Sequence, residues 1–328
     1  MSKILDVLLL LALPASGKSE VRRYLASLTP EQCRNDMHMG PTVQLDDYPY
    51  VHMMRRVSQE LRRAGEDGVF FDSDDLPMKE SRDWGTLIEL LNEDFDDLMN
   101  HRRHAPASAS RWLLDRFDDM RSRVGAAPAL CRLPATTRAK LEAALERDAA
   151  ELLRDKNEGV PDSLAGRTVV MEFARGGPDG AGLPLPPPLG YGYSLARLSD
   201  DILERASILY VWVTPEESRR KNTARTDPND PGSILHHGVP LEVMFTEYGC
   251  DDIDWMCQYS KIPQSIVVEA HGRNYSIPIA KFDNRVDKTS FLRDNPKNWK
   301  AEQVKAVHDG LRGALQILWD SRSLIDPS

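Results

Sequence analysis

Three residues able to act together on a phosphate chain, Gly17, Lys18 and Ser19, close the run Ala12-Leu13-Pro14-Ala15-Ser16-Gly17-Lys18-Ser19. Their spacing is that of the phosphate-binding pattern G-x-x-x-x-G-K-[ST], with Ala12 standing at the first glycine. The apolar residues Ile4 to Leu11 lead into the run as a strand, and Glu20 to Leu25 leave it as a helix. A loop closing onto a helix N-terminus aims unpaired backbone N–H groups and the positive end of the helix dipole at one point, which suits a polyphosphate. Gly17 lets the backbone approach a phosphate closely. Lys18 reaches the β- and γ-phosphates, and the Ser19 hydroxyl is placed to ligate the Mg²⁺ between them. ATP with Mg²⁺ is therefore the expected ligand pair, held by Ala12, Pro14, Ala15, Ser16, Gly17, Lys18 and Ser19. Lys18 is expected to be exposed, and Ala12 matters only if its position demands a positive φ.

Acidic and basic residues at the ends of later apolar runs supply the remaining chemistry. Asp46 and Asp47 follow the run Thr42 to Leu45, where one carboxylate can take a proton from an attacking hydroxyl and the other can serve the metal or the acceptor. Asp46, which directly ends the strand, is the expected base; capping of the helix beginning near Tyr48-Pro49 is the alternative. Glu172, near the end of the run Thr168 to Phe173, is costly to bury unless it is paired or faces a cation, and is the second expected metal group beside Ser19. Arg175 either pairs with Glu172 or binds the acceptor. Arg219, Arg220, Lys221 and Arg225 crowd one helical stretch, with Arg219 and Arg225 expected on the developing phosphoryl charge. Thr226 to Gly232 then reads as the tip of a lid, and His236-His237 as loop residues.

The elements that must position these groups follow from apolar patterning. Runs at 42–45, 168–173, 208–213 and 275–282 join the first at 4–11, and near-continuous apolar strands separated by helical patterns indicate a parallel sheet covered on both faces. In such sheets ligands gather at the carboxyl ends of the strands. The long helical stretch between the second and third runs exceeds what a crossover needs. Residues 51–164 are thus expected to be an inserted helical subdomain capping the acceptor side, with 1–50 and 165–328 forming the nucleotide-binding core. The Pro- and Gly-rich stretch 176–192 reads either as a solvated linker or as a wall of the site.

Composition narrows the classes. The chain has 328 residues, 41% hydrophobic and 28% charged, as in a globular protein. Its net charge of −9 argues against extensive binding of duplex nucleic acid or anionic membrane. The 4 cysteines are scattered without metal-ligand spacing, and the first apolar run is too short to span a bilayer. A cytoplasmic protein is expected.

Together the Leu13 to Ser19 loop, the acidic residues at 46–47 and the strand 211–213 followed by an arginine-bearing helix resemble the P-loop kinases of the nucleotide and polynucleotide kinase type. The resemblance implies a three-layer α/β P-loop fold with a five-stranded parallel sheet in the order 2-3-1-4-5. It implies lid arginines at 219 and 225, and a closing strand 279–284 whose end, at Asn284, lies near the adenine. The expected activity is transfer of the γ-phosphoryl group to a hydroxyl of a small molecule or nucleic-acid end. An ATP hydrolase or ATP-driven switch that binds a protein through its insertion, and a non-catalytic nucleotide-binding module, are the alternatives.

Overall fold

The computed structural model describes residues 4–225 and 238–325. In chain order, β1 (Val7–Leu11) leads to α1 (Lys18–Ser27), α2 (Pro30–Met37), β2 (Thr42–Asp46) and α3 (Tyr48–Arg63). Then come α4 (Asp83–Met99), α5 (Ala109–Arg123) and α6 (Ala135–Gly159), before the chain returns to the sheet as β3 (Thr168–Phe173). The second half holds α7 (Gly190–Ala196), α8 (Asp200–Arg205), β4 (Ala206–Trp212), α9 (Pro215–Arg225), α10 (Leu241–Thr246) and α11 (Ile253–Tyr259). It ends with β5 (Ser265–Ala270), β6 (Arg273–Asp283) and α12 (Ala301–Ile325).

The strands form one sheet in the order β2-β3-β1-β4-β6-β5. β1 is central because its five residues are apolar and buried on both faces, and it pairs in parallel with β3 and β4. Period-two alternation divides its side chains. Leu9 and Leu11 join Met171 and Ile208 under Ile88, Leu91 and Phe95 of α4. Leu8 and Leu10 join Val170 and Leu209 under Val21 and Leu25 of α1 and Leu311 and Leu315 of α12. Helices therefore cover both faces of the sheet.

Five parallel strands are expected from the sequence; the sheet carries a sixth, β5, antiparallel to β6 at one edge. His271 and Gly272 join them with φ of 52° and 78°, the pair of left-handed residues that a two-residue hairpin turn requires. Ile266 and Val268 face inward while Val267 and Glu269 face solvent. That alternation is the signature of a half-covered edge strand.

Between β2 and β3 the chain builds α3 to α6, whose apolar interior is one cluster: Met54, Val57, Phe70, Leu87, Leu113, Phe117 and Leu145. The same cluster takes in Leu13 of the phosphate-type loop, Val213 after β4, and Val243 and Tyr248 around α10. The segment before α5 is pinned rather than loose: Glu146 of α6 accepts from the Ala109 and Ser110 amides at 2.9 and 3.1 Å and from the Ser108 and Ser110 hydroxyls. These bonds, the Ser110 hydroxyl first, hold the Glu146 carboxyl down at about 2. Among the described residues no helix is long and apolar enough to cross a membrane.

One glycine tests this packing. An added Cβ at Gly310 in α12 would lie 2.7 Å from the buried Phe282 ring of β6. Glycine to alanine inside a helix normally stabilises by about 1 kcal/mol, but overpacking a core typically costs about 1–3 kcal/mol. Gly310→Ala is therefore expected to lower the urea midpoint at unchanged m value; a raised midpoint would show that the contact relaxes freely.

Candidate functional site

The loop between β1 and α1 is braced from four directions. Gly17 has φ 107°, and a Cβ there would sit 2.4 Å from Thr289 Oγ1 and 2.8 Å from Asn284 Nδ2, so only glycine fits. Asn284, fully buried, donates from Nδ2 to the Ser16 carbonyl at 2.6 Å. The Ser218 hydroxyl of α9 donates to the Pro14 carbonyl at 2.6 Å. Tyr191 of α7 donates through its hydroxyl to the Ala12 carbonyl at 3.0 Å, and Lys18 Nζ reaches the same oxygen at 3.2 Å. Ala12 is not among the residues with positive φ, so alanine sits there without strain; Ala15 is the left-handed residue of the loop, at φ 55°. Lys18 is buried rather than exposed. Ser16 Oγ is buried with no hydrogen-bond partner among the described residues.

Strand register delivers the carboxylates. Asp46 of β2 and Glu172 of β3 are lateral partners at the carboxyl ends of neighbouring parallel strands. Like charges so placed need a cation between them, and Arg22 of α1 supplies it: its Nη1 lies 3.0 Å from Asp46 Oδ2 and 2.7 Å from Glu172 Oε2. Asp46 Oδ1 accepts from the Tyr48 amide at 2.9 Å, so Asp46 also caps α3. Burial pushes the Asp46 carboxyl up to about 7, with Glu172 and Asp47 adding to the push and Arg22 opposing it.

Asp47 makes no capping bond to α3. Its Oδ2 instead accepts from Arg175 Nη1 at 2.6 Å, and this pair is almost wholly buried. Arg175 thus pairs with Asp47 and not with Glu172. Its guanidinium lies over Trp84 at 4.8 Å, donates from Nε to Ser194 Oγ and from Nη2 to the Trp84 carbonyl. Burial raises the Asp47 pKa while Arg175 and Lys18 hold it down.

Loop and carboxylates share one cavity. It is lined by Pro14 to Glu20, Asp46, Asp47 and Glu172, by Tyr48, Val51, Arg55, Phe71, Met78 and Trp84 from α3, the start of α4 and the segment between them, and by Val243, Glu247 and Tyr248 from around α10. Glu247 Oε1 accepts from the Met78 amide and from Trp84 Nε1, both at 3.3 Å. Burial pushes its carboxyl up to about 7 against those two bonds. No residue of the stretch 176–192 lines the cavity, and 178–184 is largely exposed, as the solvated-linker reading expects. Gly177 forms an antiparallel bridge with Cys250, and the stretch leads into α7, whose Tyr191 and Gly192 amides donate to the Asp252 carboxylate.

The basic residues of α9 separate in space. Lys221 is buried against Asp287 at 2.9 Å and Arg220 pairs on the surface with Glu217. Arg219 lies over Phe245 at 4.7 Å and does not line the cavity; its buried Nη1 has no hydrogen-bond partner among the described residues. Arg225 ends α9, and its side chain, like Thr226 to Gly232 and His236-His237, lies outside the described residues. Four contributors escape a reading of the chain alone: Arg22, Tyr191, Trp84 and Glu247. Only Arg22 leaves a local signal, being one helical turn after Lys18 on the same face of α1.

Against known proteins, no family model matches the chain and no curated protein matches it. The site's chemistry therefore rests on its own geometry.

Arg22→Gln tests the bridge. The folded chain keeps the Asp46 proton to about pH 7, whereas the unfolded chain releases it near the ordinary 3.8. Stability contributed at this position thus falls as pH rises through that window. The substitution is expected to cost roughly 2 kcal/mol near pH 8, where Asp46 is charged, and clearly less near pH 5. Urea unfolding at the two pH values decides it; an equal cost at both would remove the charge argument.

Proposed function

We propose that the chain is an ATP- and Mg²⁺-dependent kinase of the P-loop type, moving the γ-phosphoryl group to a hydroxyl of a separate acceptor. The observation that carries this reading is the single cavity that runs from the N-terminus of α1 past Asp46 to an apolar wall supplied by the insertion. A phosphate site open only to water would not need that wall. The loop fits a polyphosphate in two respects: Ser16 Oγ is buried without a partner among the described residues, and no side chain caps the N-terminus of α1 at the left-handed Gly17. Among the described residues no three His, Cys, Asp or Glu side chains form a metal cluster of their own. That fits Mg²⁺ here, since this ion is usually held by one or two protein groups together with substrate phosphates and water.

In this reading Ser19 and Glu172 hold the Mg²⁺, which when bound neutralises phosphate charge. Lys18, now on the Ala12 carbonyl, turns to the phosphates and the loop amides fix them in line with the acceptor. Asp46 takes the proton of the acceptor hydroxyl as its oxygen attacks the γ-phosphorus and ADP leaves. A carboxyl with a pKa of about 7 is suited to that task at neutral pH. Asp47, locked by Arg175, sets the backbone at the start of α3 and leaves the acceptor to other residues. Arg219, over Phe245 and outside the cavity lining, is assigned no part in the transfer. Asn284 acts on the nucleotide indirectly, by holding the Ser16 peptide.

Two outcomes are expected. Lys18→Ala should weaken ATP binding at least about tenfold in isothermal titration, about 1.4 kcal/mol, with unchanged circular dichroism; full affinity in the folded variant would defeat the reading. Asp46→Asn should lower kcat by roughly 10²–10⁴ while ATP affinity stays within a few-fold. If that variant loses stability with activity per folded molecule intact, Asp46 serves only as the cap of α3.

A further inference from the structure

Glu247 differs from most buried carboxylates among the described residues. Asp94 meets Arg116 and Lys156, Asp97 meets Lys156 and His104, and Asp83 meets Arg121. Asp118 accepts three backbone amides, from Ala129, Leu130 and Cys131. Each of these charges is balanced within the fold. Glu247, 8% exposed, engages only Oε1, and both of its donors are neutral. No ion pair from the described residues reaches it. It nevertheless lines the cavity, together with the loop and the Asp46–Glu172 pair.

The neighbours of Glu247 sharpen the chemistry. Trp84 and Tyr248 meet edge to face at 5.8 Å beside it, and Phe71, Met78 and Val243 complete an apolar surround. Arg55, on the same wall, makes no ion pair with Glu247: its guanidinium lies 4.1 Å over the Phe71 ring and donates to the Asp74 carbonyl, while Arg55 and Arg175 offset the burial of Glu247 only through space. A carboxylate buried among aromatic side chains with a free oxygen is costly unless a cation meets it. Aromatic walls suit the same partner, because ring faces attract ammonium groups. A neutral polyol would gain only a single hydrogen bond at Glu247, and an anionic acceptor would meet that carboxylate within the same apolar surround.

We propose that the acceptor is a small amino alcohol with an apolar or aromatic body, its ammonium group paired with Glu247 Oε2 and its hydroxyl directed toward Asp46. The assignment rests on the kinase reading in one respect only, that the hydroxyl of the bound molecule is the group phosphorylated. The binding part stands on the cavity alone.

The test uses the full chain and three probes of similar size: 2-amino-1-phenylethanol, 1-phenylethane-1,2-diol and mandelate. Isothermal titration is expected to give the amine at least a tenfold advantage over the diol and more over mandelate. Glu247→Gln, whose amide oxygen can still accept from Met78 and Trp84, should erase that advantage while leaving diol affinity within about twofold. Equal or better binding of the diol or mandelate, no binding of any probe, or an amine advantage that survives Glu247→Gln overturns the proposal. Should the variant fail to fold, the comparison of probes on the unaltered chain decides alone. With ATP and Mg²⁺ added, mass spectrometry should find the phosphorylated amine. Phosphorylation of the diol in preference to the amine overturns the acceptor class and leaves the kinase reading standing. Selective amine binding by a chain that does not bind ATP supports the pocket and overturns the kinase reading.

Discussion

Two carboxylates on adjacent parallel strands, in register and pointing to the same end of the sheet, would drive the strands apart without a cation between them. Arg22 provides that cation from the helix that begins at the loop. Because Lys18 and Arg22 are four residues apart on α1, one helical turn joins the loop to the strand ends. The end-on register of β2 with β3 is thus tied to the seating of α1. The divided proton affinity at this end of the sheet has the same origin, since Arg22 only partly offsets the burial of Asp46.

A second layer of bonds holds the loop from segments remote in the chain. Tyr191, Ser218 and Asn284 reach the carbonyls of Ala12, Pro14 and Ser16 respectively. Each donor consumes a carbonyl acceptor of the loop. Such a loop is shaped before anything binds, and the entropy of ordering it is met during folding.

What could be read in advance follows from how local each signal is. The loop is contiguous, so its residue types and spacing are visible without any knowledge of the fold. β1 to β4 and the inner part of β6 announce themselves as apolar runs bounded by polar residues. β5 was legible in principle, because Ile266 and Val268 alternate with Val267 and Glu269 ahead of His271-Gly272; an apolar run shorter than its neighbours and rich in polar positions hides beside them. Glu247, Trp84 and Tyr191 could not be found this way. Each gains its role from partners far along the chain, and nothing in an isolated glutamate or tryptophan distinguishes a cavity wall from a surface. Arg175 shows the same limit from the other side: its proximity in sequence to Glu172 suggests a pair that the sheet geometry gives to Asp47.

The insertion has a mechanical consequence. It leaves the sheet at the carboxyl end of β2 and re-enters at the opposite end of β3, and between these points α4 lies flat against the sheet through Ile88, Leu91 and Phe95. The N-terminal end of that same helix carries Trp84 into the cavity. The contour that Trp84 presents to whatever enters is thus set by the same packing that covers the sheet, as the shape of a lintel follows from the wall that carries it.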